Sequence, residues 1–375
     1  MQALILAGGE GTRLRPLTLT QPKPAIQLVD RPFIRHTIDW IARHGIEEVV
    51  IASGFGSDTL RQAIGGDASG IRVAYVDERD PLGTAGPLRL AADEGLLGER
   101  FLVLNGDVLA DLDLSALMRA HEERGAVATL ALYPFDDPSA YGLVRRSGGP
   151  VSPGASPATP DGAVAAFLEK PEPDEIDTDE ISAGAYVLDR NVIDLIPRER
   201  MVSIEREIFP RLVGQGLYGH RLEGYWMDIG TPERYLQASW DILEGRVRSQ
   251  IAERLDRNGL FVGDGARIDP TARVRPPALL EPETAVAAGA TIGGRAVIGR
   301  GTEIGERAAV SSSVLMSGCR IGPQARIHEA ILASSVEVGE GARVGAASVV
   351  GESARVEAGA RIGEGARIAP GEVAS

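Results

Sequence analysis

Counting from Val262, a large apolar residue returns at every sixth position: Val262, Ile268, Val274, Leu280, Val286, Ile292, Ile298, Ile304, Val310 and Met316. After a slip of one residue the series resumes at Ile321 and Ile327. After a second slip, across a weak Ala333, it runs through Val338, Val344, Val350, Val356, Ile362 and Ile368. A small or β-branched residue often stands four positions later, as at Ala272, Ala296, Thr302, Ala342, Ala354 and Ala366. An amphipathic helix repeats every 3.6 residues and a half-buried strand every second residue, so a period of six fits neither. It fits a parallel β-helix, in which each six-residue segment supplies one short strand and three segments close a coil. The nineteen positions predict about six coils over residues 261–375.

The first 245 residues follow another rule. Apolar runs at 2–7, 48–52, 71–76 and 101–104 read as strands, and 32–44, 58–64 and 84–94 read as helices. In 32–44, Phe33, Ile34, Ile38 and Ile41 recur near helical spacing. Short apolar strands alternating with helices predict a Rossmann-like, mostly parallel α/β sheet covered on both faces. Ligands of such sheets bind beyond the carboxyl ends of the strands. The expected organisation is a first domain over 1–245, a connector over 246–260 that carries mixed charge (Arg246, Arg248, Glu253, Arg254), and the β-helix over 261–375. The Pro-, Gly- and Ser-rich stretch 147–162 reads as a mobile loop joining two strands. A tolerated insertion and a lid both remain open for it.

The net charge of −14 argues against a nucleic-acid partner or an anionic membrane surface, each of which needs a basic face. It leaves a nucleotide substrate open, because a small pocket needs only a few local cations. The single cysteine, Cys319, excludes an internal disulfide and fits a reducing compartment. The start of the chain lacks a basic segment before its apolar run, and Gly8-Gly9 interrupts that run. No stretch is long enough to cross a bilayer. A cytoplasmic protein is expected.

One loop carries most of the chemistry. The run Leu4-Ile5-Leu6-Ala7 ends in Gly8-Gly9-Glu10-Gly11-Thr12-Arg13, and Lys23 follows ten residues later. Glycines permit close backbone approach, so their N–H groups can converge on an anion, and Arg13, Arg15 and Lys23 add mobile positive charge. The spacing is neither a P-loop, which needs Lys directly after its last glycine, nor the dinucleotide fingerprint, because Leu14 stands where its third small residue should be. By itself a Gly-Gly pair is often only a turn.

The complete string, with Pro22-Lys23-Pro24, resembles the signature of sugar-1-phosphate nucleotidylyltransferases, the enzymes that make NDP-sugars. The resemblance spans nearly the whole chain and keeps motif order; the last hundred residues also resemble left-handed β-helix proteins, an exception to the right-handed crossover rule. It implies that Leu6, Gly8, Gly9, Gly11, Thr12, Gly83, Thr84 and Asn105 meet the nucleotide and that Arg13 and Lys23 act on the leaving pyrophosphate. It implies Mg²⁺ on Asp107, in Asn105-Gly106-Asp107, and on Asp228, in Tyr225-Trp226-Met227-Asp228. Hard oxygen ligands with substrate phosphates suit that ion. Glu169 and Lys170 of Phe167-Leu168-Glu169-Lys170-Pro171, together with Gly142, Ser182 and Gly184, would line the sugar-phosphate pocket.

Within the family the likeness is to mannose-1-phosphate guanylyltransferases, through Leu82-Gly83-Thr84-Ala85-Gly86 and Ser203-Ile204-Glu205-Arg206-Glu207. That implies GTP and mannose 1-phosphate as substrates. One departure is Ser182, where many members have Asn, so dTTP, UTP or ATP with glucose 1-phosphate stays open. So does a catalytically silent homologue that senses nucleotide sugars, although Arg13, Lys23, Asp107, Lys170 and Asp228 are all present. Many hexapeptide-repeat proteins are acyltransferases that use a histidine. Only His328 lies in the repeats, and no long loop interrupts them. The β-helix is therefore expected to serve assembly, giving a homo-oligomer.

Overall fold

The computed structural model describes residues 1–65, 68–147 and 162–375, so the expected loop over 147–162 lies, apart from its two end residues, outside the described part. The chain divides into two compact units, residues 1–9 with 37–226 and residues 10–36 with 227–375. Among the described residues no helix is long and apolar enough to cross a membrane.

The first unit is built on a nine-stranded sheet. Its central strand is Gln2–Leu6, in which Ala3, Leu4 and Ile5 are wholly buried. Burial on both faces explains why this run shows no apolar–polar alternation. Each such Leu or Ile contributes about 1.5–3 kcal/mol of burial free energy. Gln2–Leu6 pairs in parallel with Glu48–Ser53 on one side and Arg100–Asn105 on the other. Arg72–Asp77 extends the parallel part beyond Glu48–Ser53. Beyond Arg100–Asn105 the next pairings are antiparallel, through Glu180–Asp189, which meets Ala128–Pro134 and, at Ile181, Gly142–Arg146; Leu217–Arg221 then joins Ala128–Pro134 in parallel.

The chain thus runs outwards from Gln2–Leu6 through two parallel neighbours, then crosses back to Arg100–Asn105. Strand order reverses between Leu6 and Asn105, which are register partners. The helices Ser57–Ile64, Gly86–Asp93 and Leu114–Arg124 fill the connections. Phe101, Val103, Leu130, Tyr186 and Phe209 anchor the core of this unit, with the Tyr186 and Phe209 rings 5.0 Å apart. The strands and helices expected from periodicity are present to within two residues at each end.

The second unit contains the repeats. They form three all-parallel sheets of seven, seven and six strands, which fits a left-handed β-helix. Leu280, Ile298, Leu315, Leu332, Val350 and Ile368 stack in register on one wall. Most coils advance 18 residues, but partners are 17 apart at Ile298↔Leu315 and Leu315↔Leu332. This corrects the sequence ladder at two points, because the inward residues there are Leu315 and Leu332 rather than Met316 and Ala333. The cause is local: the corners 311–313 and 328–330 are one residue shorter than 293–296, so each slip falls before the strand and not after it. Small buried residues turn the corners, among them Thr302, Cys319, Ala342 and Ala354.

In the same unit, the helix Pro232–Leu243 starts at a Thr231 cap that accepts from Arg234 N, with Pro232 in the first turn. Its Trp240 ring lies under the Arg295 guanidinium, which also bonds Glu244 at 2.6 Å. A second helix, Gln250–Arg254, follows a Ser249 cap, and Arg254 reaches the Phe261 ring and Asp30.

Candidate active site

The reversal point of the first unit brings together Gly8-Gly9, the start of the expected phosphate loop, and the Asn105 turn. Gly106 N donates to Leu6 O at 2.9 Å, so the two strand ends lie side by side. Gly8 and Gly9 follow the central strand. Asp107 is half-buried in the turn that separates Arg100–Asn105 from Val108–Leu112.

Glu78 stands close by, although sequence reasoning passed over it. Its Oε1 lies 2.7 Å from where a Cβ on Gly8 would stand, and its Oε2 accepts from Leu82 N at 3.0 Å. Burial raises its pKa above the usual carboxylate range, partly offset by the Leu82 bond. The available signal was position, since Glu78 follows the Arg72–Asp77 strand at the same carboxyl edge.

Thr84 is tied to Glu205, which the sequence places in a family motif without giving it a role. Thr84 Oγ1 donates to Glu205 Oε2 at 2.5 Å and accepts from Ile204 N at 2.9 Å. The hydroxyl therefore does not cap the following helix, which begins at Gly86 without a side-chain cap. Ser203 Oγ also donates to Glu205 Oε2, at 2.8 Å. Glu205 lies in a π-helical turn, Ile204–Ile208, a geometry frequent at functional sites.

The sugar-facing motifs meet in the same unit. Gly142 and Glu169 are register partners, and Lys170 N donates to Tyr141 O at 3.0 Å. The Glu169 pKa is raised, by burial first and by the neighbouring Glu205 carboxylate second. Ser182 and Gly184 lie in a bulge, because the pairing of Glu180–Asp189 with Ala128–Pro134 shifts between Ser182 and Tyr186. Gly184 has φ of 70°, and a Cβ there would stand 2.7 Å from Asn105 Nδ2, so only glycine leaves Asn105 its place. Trp226 holds the bulge by donating from Nε1 to Ala183 O at 2.9 Å. The rings of Tyr133, Phe135 and Tyr141 surround Trp226 at 5.3–5.7 Å. Tyr186 beneath is fully buried, and burial followed by Glu205 pushes its hydroxyl pKa well above the ordinary tyrosine value.

The second unit holds a charge cluster. Asp228, at 13% side-chain exposure, lies 3.7 Å from Lys23 Nζ, 3.1 Å from Arg234 Nη1 and 4.0 Å from Arg13 Nη2. Lys23 is 8% exposed and Arg13 is 65% exposed, so one cation is locked in and the other is mobile. Gly11, in the left-handed region at φ 59°, precedes the 3-10 turn Thr12–Leu14. A Cβ on Gly11 would meet Thr18 Cγ2 at 2.9 Å and Lys23 Cβ at 3.1 Å, so the loop closes directly over the lysine stem. Thr18 Oγ1 fixes it by donating to Gly11 O at 3.0 Å.

Among the described residues no group of three or more His, Cys, Asp or Glu could hold a metal ion. Asp107 in the first unit and Asp228 in the second are each carboxylates of the kind that takes a hard ion completed by water and substrate phosphates. His328 is exposed on a β-helix strand, with its Nδ1 2.9 Å from Ser311 Oγ and Glu329 3.6 Å away.

The family model described as "Nucleotidyl transferase" matches residues 2–245, and "GMPPB C-terminal domain" matches residues 268–372. The chain is 40% identical over 276 residues to the mannose-1-phosphate guanylyltransferase of Mycobacterium tuberculosis, covering 72% of each. It is 38% identical over 278 residues to the mannose-1-phosphate guanyltransferase of Candida albicans, covering 73% of each. It is 37% identical over 278 residues to the Danio rerio mannose-1-phosphate guanylyltransferase catalytic subunit beta, covering 72% of each. Among solved structures, HddC from Yersinia pseudotuberculosis superimposes with a TM-score of 0.54 at 23% identity, over 64% of this chain and 99% of that one. That likeness shows the fold alone.

Proposed function

Because the chain belongs to the nucleotidyl transferase family, we propose that it joins GTP to mannose 1-phosphate, giving GDP-mannose and pyrophosphate. The observation that carries the substrate pair is the match, over nearly three quarters of both chains, to mannose-1-phosphate guanylyltransferases of a bacterium, a yeast and a vertebrate. An oxygen of mannose 1-phosphate attacks the α-phosphorus of GTP in line. The bond between the α-phosphorus and the bridging oxygen breaks, and pyrophosphate departs with the electron pair. The nucleophile is already an anion, so no general base is required, and catalysis rests on alignment and charge neutralisation.

In this reading Leu6, Gly8, Gly9, Gly11 and Thr12 receive the nucleotide phosphates and ribose. Gly83, Thr84 and Asn105 shape the rest of the nucleotide pocket. Arg13 and Lys23 neutralise charge on the leaving pyrophosphate. Lys170 meets the sugar phosphate, while Glu169, Gly142, Ser182 and Gly184 line the sugar. Glu78 offers a carboxylate to the two N–H donors on guanine's edge. Glu205, shared by both motif groups, fixes the nucleobase segment against the sugar side. Asp107 and Asp228 would hold the divalent metal, assigned as Mg²⁺, which would supply positive charge to offset that of the substrate phosphates.

The catalytic domain is taken as 1–245, the connector as 246–260 and the β-helix as 261–375. The β-helix is assigned to homo-oligomer assembly. On one face Arg326, Arg343 and Arg361 stand in register on successive coils, a like-charge ladder that a partner's carboxylates would relieve. A cytoplasmic location belongs to the same reading and rests on the lone, buried cysteine.

The test is pyrophosphate release from each of five common NTPs against a panel of sugar 1-phosphates, with and without Mg²⁺. GTP with mannose 1-phosphate should be the best pair. Silence with every pair refutes the enzymatic reading, and a better pair reassigns the substrates.

A further inference from the structure

Phe55 is the one aromatic among the six large hydrophobic side chains that stand exposed in the described residues, at 57% exposure. It sits between Gly54 and Gly56, just past the carboxyl end of Glu48–Ser53. That strand lies between Gln2–Leu6 and Arg72–Asp77, with Ala52 partnered by Leu6 on one side and Val76 on the other. The Phe55 loop therefore leaves the sheet between the Gly8 loop and Glu78. Gly54 N is 4.0 Å from where a Cβ on Gly8 would stand, and a Cβ on Gly54 would lie 3.7 Å from Glu78 O. Glu78 N in turn donates to Ser53 O at 2.7 Å.

A single exposed apolar side chain is ordinary on a protein surface. This one stands between a glycine loop and a half-buried carboxylate, where a planar ligand would arrive. A flat apolar ring left in water at that place gains burial and π-stacking only when another flat ring covers it. A carboxylate on that border, as Glu78 is, would accept in the plane of such a ring and leave the ring's face to Phe55.

We propose that Phe55 is a binding residue for the purine, stacking on the face of the base whose edge Glu78 reads. This rests on the assignment of a guanine nucleotide to the site and adds the residue that favours a purine over a smaller pyrimidine. Base–aromatic stacking depends on ring overlap and tolerates any aromatic partner. Tyrosine should therefore replace Phe55 and alanine should not.

The experiment uses the full chain with Mg²⁺ and measures GTP binding by calorimetry, without sugar phosphate, for wild type, Phe55→Ala and Phe55→Tyr. Phe55→Ala should weaken GTP about tenfold, weaken UTP by less, and raise KM for GTP while KM for mannose 1-phosphate stays put. Phe55→Tyr should match wild type. In Phe55→Trp, the added indole emission should be quenched by GTP. Wild-type GTP affinity in Phe55→Ala, or indole emission indifferent to GTP, overturns the proposal; the indole signal decides if the alanine variant folds poorly. A wild-type chain that binds GTP but forms no product with any sugar phosphate sinks the reaction and leaves the stacking test standing. One that turns over normally, and is matched by Phe55→Ala in GTP binding, sinks the stack alone.

Discussion

Replacing Asp228 with asparagine keeps the shape of the side chain and removes one negative charge from among Lys23, Arg234 and Arg13. If Asp228 served only a metal, the fold would not register the change. The surroundings say otherwise. At an effective dielectric of about 20, opposite charges separated as Lys23 and Asp228 are attract by about 4–5 kcal/mol. The desolvation of both groups offsets part of this, yet removing one partner of a buried pair still costs about 3–5 kcal/mol, because the other charge stays buried with that carboxylate gone. Arg234 is a third exposed and Arg13 two thirds exposed, so each adds no more than about 0–1 kcal/mol.

The loss should therefore be about 3–4 kcal/mol and come almost wholly from Lys23. For a unit of this size that lowers the melting temperature by about 6–16 °C. Thermal unfolding of the apo chain checks it, with Asp107→Asn, at a half-buried turn, expected to melt within a few degrees of wild type. Adding Lys23→Met to Asp228→Asn should restore most of the stability and none of the activity. An apo Asp228→Asn chain that melts with wild type refutes the argument that the carboxylate compensates Lys23.

Arg13→Ala should lower kcat about a hundredfold, the scale of losing one preorganised electrostatic group in the transition state, and should leave melting unchanged because Arg13 is largely exposed; pyrophosphate release at saturating substrates measures it, and an unaltered kcat removes Arg13 from the chemistry. His121 is buried between Thr129 Oγ1 at 2.9 Å and Asp189 at 3.3 Å, and burial holds its pKa below 6.5, as burial also does for His44 and His220. Below pH 6.5 the unfolded chain binds these protons before the folded one does, so stability should fall as pH drops from 6.5 towards the lowered folded values, by up to about 1.4 kcal/mol per pH unit for each group. Melting curves of wild type and His121→Gln from pH 7.5 to 5.5 should converge as pH falls, and parallel curves would exclude His121. Ending the chain after Leu260 should reduce the mass seen by light scattering to that of a monomer and expose the Trp240 and Glu244 side chains that now meet Arg295; a full-length monomer would dismiss the β-helix as an assembly module.

Much of this was legible because the patterns have few competing explanations. Strands buried on both faces, such as Gln2–Leu6, betray themselves as unbroken apolar runs, and a six-residue ladder admits one architecture. The two short coils were misplaced by one position because Leu315-Met316 and Leu332-Ala333 are apolar neighbours, and only pairing decides which of each faces inwards. Glu78 was missed, and Glu205 was left without a role, for another reason. An isolated glutamate carries no periodic signal, and its meaning comes from partners far along the chain, such as Thr84 for Glu205. Nor could local sequence show that Ile204 N reaches the Thr84 hydroxyl from 120 residues away. The half-buried state of Asp228 was equally invisible, since its three cations come from segments before and after it.

The stacked coils make the length of the second half of the chain a separable variable. Past the coils that meet the helices Pro232–Leu243 and Gln250–Arg254, each coil rests on the coils above and below it, and three short strands complete one layer. A whole layer of about eighteen residues could be added or lost at the Val373 end with every remaining inward side chain still over its neighbour, whereas a one-residue change is absorbed only at a corner, as at 311–313 and 328–330. Selection can therefore lengthen or shorten this half in layers while the order of the chemical motifs from Gly8 to Asp228 stays as it is. Two relatives that differ by one or two multiples of a layer beyond residue 262 should be read as the same enzyme with a taller or shorter stack.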